Sequence, residues 1–116
     1  MKKIAVFAGS FDPFTLGHLD IVKRAAALFD ELYVLLAVNA SKKYLLTESA
    51  RVEIVKTAVK GIPNVKVDCF DGLTVDFMQC VGAKFLVRGI RGSLNVGTID
   101  DAIAKGERLL AEASNK

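Results

Sequence analysis

Cysteine and histidine are scarce in this chain: two of the first and one of the second among 116 residues. Cys69 and Cys80 stand too far apart for a C-x-x-C pair. No His/Cys cluster has zinc spacing, so no metal ligand is assigned to any side chain. Both thiols read as small apolar core residues of a reducing, cytoplasmic compartment. Long apolar runs are missing as well. No segment nears the roughly 20 apolar residues of a membrane span, and no membrane partner is expected. The N-terminal run Ile4 to Ala8 is shorter than a signal-peptide core, and no cleavage pattern follows it. Formal charge is only +3, and the basic residues form no stripe interleaved with aromatics, so nucleic acid is not an expected partner. Repeats and low-complexity segments are likewise absent. The length suits one domain, residues 1–116, with one core.

What the chain does have is concentrated at its start, IAVFAGSFDPFTLGHLD, Ile4 to Asp20. Ile4 to Ala8 reads as a strand covered on both faces, as in the middle of a parallel sheet. Gly9-Ser10 stops it, Asp12-Pro13 bends the chain, and a helix begins near Gly17-His18. Free N–H groups and the helix dipole converge at such a turn, making it a natural phosphate site. Gly9 would let a ligand approach the backbone, and His18 places an imidazole in the first helical turn. Asp12 reads as a turn-former rather than a base.

Strand and helix patterns then alternate. A helix from about Gly17 to Phe29 presents Leu19, Val22, Ala25, Ala26 and Phe29 on one face. Leu32 to Val38 is a second apolar strand. A polar loop with Lys42-Lys43 leads to a helix from Glu48 to Lys60, capped by Thr47, with Val52, Ile54, Val55 and Val59 available for burial. Gly61 and Pro63-Asn64 turn the chain. Val65 to Cys69 alternates, as expected of an edge strand. A short helix from Thr74 to Val81 precedes a fourth strand, Phe85-Leu86-Val87, followed by Arg88-Gly89-Ile90-Arg91. Thr74 reads equally as a helix N-cap and as a ligand contact.

This order predicts an α/β fold: a doubly wound, mostly parallel, Rossmann-like open sheet of four strands with flanking helices. A fifth strand joins if Leu94 to Val96 pairs with the fourth; otherwise the apolar fourth strand has an open edge that invites self-association. Ligands bind such sheets beyond the C-terminal strand ends, where Ser10, His18, Lys42 and Arg88 gather. Two guanidiniums, Arg88 and Arg91, at one strand end suit oxyanions. A last helix carries Ile99, Ala102, Ile103, Gly106, Leu109, Leu110 and Ala113 as a stripe, with Thr98 opening a capping-box-like sequence.

These residues carry a resemblance. Gly9-Ser10-Phe11-Asp12-Pro13 with Thr15-Leu16-Gly17-His18 resembles the signature of the nucleotidylyltransferase superfamily. Ser41-Lys42-Lys43, Leu46-Thr47-Glu48 to Arg51, Asp71-Gly72-Leu73-Thr74-Val75-Asp76 and Val87-Arg88-Gly89-Ile90-Arg91 narrow it to the bacterial phosphopantetheine adenylyltransferase family. That family transfers AMP from ATP to 4′-phosphopantetheine in coenzyme A synthesis. The resemblance implies that His18 stabilises charge on the α-phosphate. It places ATP against Ser10, Phe11, His18, Gly89, Ile90 and Arg91. Phosphopantetheine would meet Ser10, Lys42, Leu73, Thr74 and Arg88. Mg2+ would arrive on the ATP phosphates, and a homo-oligomer is the usual assembly.

The likeness runs from Met1 to about Arg91. Family members continue with a serine-rich loop over ATP, which has no counterpart here, and Ile99 stands where the family has an ATP-contacting glutamate. Residues 92–116 are therefore expected to be foreign to the family, through truncation, recombination or engineering. The alternative to a working enzyme is a non-catalytic α/β scaffold with a residual phosphate or phosphopantetheine site.

Overall fold

The structure, a computed structural model, describes residues 2–38, 43–90 and 93–98. Along the chain run β1 (Ile4–Gly9), α1 (Leu16–Leu28), β2 (Glu31–Ala37), α2 (Glu48–Val59), β3 (Val65–Phe70), α3 (Thr74–Val81), β4 (Phe85–Ile90) and β5 (Ser93–Thr98). The strands form one sheet in the order β3-β2-β1-β4-β5. β1 to β4 are parallel, and β5 runs antiparallel on β4. The fold is the expected α/β, Rossmann-like one, and the fifth strand is present: Leu94 to Val96 lies within β5 and covers the edge of β4.

Alternation along the strands divides the core between the two faces. Ala5 and Phe7 of β1 join Leu32, Val34, Leu36 and Val87, covered by Val22 and Ala25 of α1 and by Val55 and Val59 of α2. Val6, Leu35 and Leu86 face the other way, against Phe77 and Met78 of α3. α1 and α2 thus lie on one face and α3 on the other, because the chain moves outward from β1 to β3 and then returns across the sheet to β4. The switch point falls between β1 and β4, where a ligand crevice is expected in such sheets.

Several expectations need correction. β4 does not stop at Val87; the antiparallel ladder with β5 continues it through Arg88, Gly89 and Ile90, paired with Asn95, Leu94 and Ser93. On α2, Ile54 remains 39% exposed, whereas Arg51 is 1% exposed. The inward row of that helix is Arg51, Val55 and Val59, one turn apart, and Ile54 falls off it. Cys80 is exposed rather than in the core; only Cys69 packs partly against it. Thr98 ends β5, and the helix expected from Ile99 onward lies outside the described residues. Gly82 ends α3 at φ 77°, a left-handed conformation that suits glycine at a helix C-terminus.

Asn64 does more than turn the chain. Its Nδ2 donates to the carbonyls of Ala26 at 2.8 Å and Phe29 at 3.0 Å, satisfying two acceptors at the C-terminal end of α1. The entry to β3 therefore holds α1 against the sheet. Asn64→Ala would leave both carbonyls without that donor, and we expect a loss of about 1–3 kcal/mol in unfolding free energy. Urea titration checks it; an unchanged midpoint would show that solvent satisfies these carbonyls equally well.

Candidate functional site

The turn after β1 is built from aromatic residues. Phe11 takes φ 48°, a left-handed conformation uncommon for a large side chain, which costs on the order of 1–3 kcal/mol. Its ring is buried and packs edge-on against Phe7 and Phe14, with both centroid distances 5.3 Å. Burying a Phe contributes about 1.5–3 kcal/mol, so packing offsets the strain. The same ring explains Gly9. A Cβ there would stand 2.9 Å from Phe11 Cε1, so the space read from sequence as a ligand approach is filled by Phe11.

His18 is held by its own helix. Thr15 is the N-cap of α1, and its side chain accepts from the His18 backbone N–H. In return the Thr15 backbone N–H donates to His18 Nδ1 at 2.9 Å. The imidazole thus occupies the place a Glu or Gln takes in a capping box. A backbone N–H can only donate, so Nδ1 must be the acceptor, and the ring proton sits on Nε2. Phe14 stacks on the ring at 5.4 Å and Phe11 meets it edge-on at 5.1 Å, fixing its plane. Burial pushes the His18 pKa down from 6.5, favouring the neutral ring. No acidic residue occupies the first turn of α1, so its dipole is open to an anion.

Two further side chains tie this turn to the next βα unit. Asp12 accepts from the backbone N–H groups of Leu45 (2.5 Å) and Leu46 (2.8 Å), clamping the segment before α2. Arg51 Nη1 donates to the Ser10 carbonyl at 2.9 Å, and its guanidinium lies 3.9 Å from the centre of the Tyr44 ring. Tyr44 in turn donates its hydroxyl proton to the Ala37 carbonyl at the end of β2. Asp12 is thus a structural clamp, a role the sequence reading of it as a simple turn-former did not contain. Arg51 and Tyr44 were missed as site residues. A charged residue on the inward row of an otherwise apolar helix was the available signal.

Of the sequence-predicted residues, the structure brings Ser10, Phe11 and His18 together at the C-terminal end of β1. Leu73 and Thr74 sit beyond β3, at the start of α3. Leu73, not Thr74, is the N-cap there and makes no side-chain cap bond. Thr74 is the first helical residue, 4% exposed, and its Oγ1 has no partner among the described residues. Arg88 lies within β4, one residue past the Phe7–Val87 pair. Strand alternation puts it on the face of Leu86, the side that α3 covers. Gly89 and Ile90 follow in β4, while Lys42 and Arg91 lie outside the described residues. Among the described residues no group of three or more His, Cys, Asp or Glu could hold a metal ion, and no helix is long and apolar enough to cross a membrane.

The α/β sheet thus carries a capped imidazole beside a Gly-Ser-Phe turn at its switch point. The chain belongs to the cytidylyltransferase-like family, whose model matches residues 6–111. That match extends past residue 91, where the sequence reading draws its boundary. Within the family the chain is similar to phosphopantetheine adenylyltransferases. It is 55% identical over 89 residues to that of Lachnoclostridium phytofermentans, covering 77% of this chain and 55% of the relative. Identity to the Limosilactobacillus reuteri protein is 54% over 91 residues, covering 78% and 53%. With the Leuconostoc mesenteroides protein it is 44% over 119 residues, covering 97% and 74%. The chain spans about half the length of the first two relatives.

His18, the only histidine in the chain, makes a clean pH probe. In the folded protein it titrates below 6.5, so between the lowered value and 6.5 the unfolded chain binds more protons. Stability should therefore rise with pH through that window and level off above it, as far as His18 contributes. His18→Gln keeps a residue suited to the capping box but does not titrate, and should flatten the slope. An NMR titration midpoint at or above 6.5 would contradict this assignment.

Proposed function

We propose that this chain carries an adenylyltransferase site that transfers AMP from ATP to 4′-phosphopantetheine, releasing pyrophosphate and dephospho-coenzyme A. One observation carries the reading. The His18 ring is locked with its Nε2–H outward from the capping box, at the N-terminus of α1 and beside the Ser10–Phe11 turn. A neutral imidazole in that tautomer still presents one positioned N–H donor, which can stabilise charge on an α-phosphate oxygen. The names of the relatives supply the substrates.

In this reading His18 is the catalytic group, and Ser10, Phe11, Gly89, Ile90 and Arg91 bind ATP. Phosphopantetheine lies against Ser10, Lys42, Leu73, Thr74 and Arg88. The buried hydroxyl of Thr74, which has no partner among the described residues, fits an amide or hydroxyl of a pantetheine arm, since such a group is costly without a partner. Arg88 on the same face suits the terminal phosphate. Catalysis then consists of positioning the attacking phosphate in line and spreading charge at phosphorus. Mg2+ arrives with the nucleotide as the counter-ion of its phosphates, and no step is assigned to a protein-held metal.

The test is pyrophosphate release from ATP, Mg2+ and 4′-phosphopantetheine. Release should require every component and should fall by about 10²–10³-fold in His18→Ala, the typical cost of losing one donor to a developing oxyanion. Folded protein whose release does not exceed that of His18→Ala would favour the alternative, a non-catalytic scaffold with a phosphate site.

A further inference from the structure

Arg51 presents a problem that the site described so far does not solve. Its side chain is 1% exposed, yet its bonded partners are neutral: the Ser10 carbonyl and the Tyr44 ring. Its Nε is buried with no hydrogen-bond partner among the described residues. Among the described residues no carboxylate forms an ion pair with it. A guanidinium keeps its charge, and burying one without a counter-charge is costly. An arginine stem could fill this helix row as packing alone, but methionine would do so without the charge.

The geometry of the bond suggests what the charge is for. The Ser10 carbonyl belongs to the Ser10–Phe11 peptide, which is planar and trans, so its C=O and N–H point in opposite directions. With the carbonyl directed at Arg51, the Phe11 N–H is directed away from it. That N–H makes no backbone hydrogen bond to another described residue. A charged donor on the carbonyl also polarises the peptide, strengthening the N–H as a donor. The left-handed Phe11 that follows holds the peptide in this orientation.

We propose that Arg51 is a positioning residue for oxyanion binding: it pins and polarises the Ser10–Phe11 peptide so that the Phe11 N–H meets a phosphate, whose charge balances the buried guanidinium. This rests on reading the turn as a phosphate site, though not on AMP transfer taking place. Tyr44 holds the guanidinium plane, and the Asp12 clamp keeps the segment carrying Tyr44 in place. Arg51 acts through Ser10 and need not touch the ligand.

The experiment uses the ¹⁵N-labelled 116-residue chain titrated with inorganic pyrophosphate. The Phe11 amide and Arg51 Nε–Hε signals should move together with one Kd; burial protects the latter from exchange. Arg51→Met should bind pyrophosphate about tenfold more weakly or worse. Arg51→Lys, which keeps the charge but not the planar fork, should fall between them. A purely structural role predicts instead a lowered melting temperature with pyrophosphate affinity unchanged. The proposal is overturned if the wild-type chain binds no pyrophosphate, if it binds with the Phe11 amide unmoved, or if folded Arg51→Met binds within twofold of wild type. Should Arg51→Met fail to fold, the wild-type titration and Arg51→Lys decide by the same criteria. Absence of AMP transfer alongside Arg51-dependent pyrophosphate binding would sink the adenylyltransferase reading and leave this one standing.

Discussion

The hydrogen bond from Arg51 to the Ser10 carbonyl is the contact on which the site's shape depends. It joins the turn after β1 to the helix after β2, across 41 residues of sequence. The Asp12 carboxylate makes a second link between the same two units. Without these links the turn would be a surface loop with a strained Phe11 at its apex. With them, the aromatic cluster of Phe7, Phe11, Phe14 and His18 closes over the C-terminal end of β1.

Charge is distributed in keeping with an anion site. The N-terminus of α1 has no acidic residue in its first turn, its imidazole is held neutral, and a guanidinium lies buried behind the turn. Each feature has a cost to the fold: an unopposed dipole, a desolvated ring and a cation with no ion pair among the described residues. A protein selected for stability alone would place a carboxylate at one of these positions. Thr74 adds a neutral case on the opposite face, a buried hydroxyl with no partner among the described residues.

The two faces of the sheet divide the work. α1 and α2 cover the face of Phe7 and Val87 and bring the turn, His18 and Arg51 together. α3 covers the face of Val6 and Leu86 and brings Thr74 toward the side that Arg88 occupies. β1 and β4 meet between them. β5 matters as well: by pairing antiparallel with β4 it carries the strand through Arg88 to Ile90, so that Arg88 is set in a ladder instead of a loop.

Much of this was legible in the residues. Continuous apolar runs marked the central strands, alternation marked the edge strand β3, and the Gly-Ser turn before a histidine-bearing helix marked the candidate site. These are local signals, because period, turn chemistry and capping act over a few residues. Even the tail strand was visible as Leu94 to Val96. Contacts between distant segments were not legible: Asp12 with Leu45 and Leu46, Asn64 with the end of α1, and Arg51 with Ser10. Sequence could show a phosphate-like turn, but only tertiary packing decided that Phe11 fills the space beside Gly9 and that Arg51 turns inward where Ile54 was expected. The reason is geometric. Which side chain on a helix faces the core depends on the helix's rotation against its sheet, and that is set by packing across the whole layer.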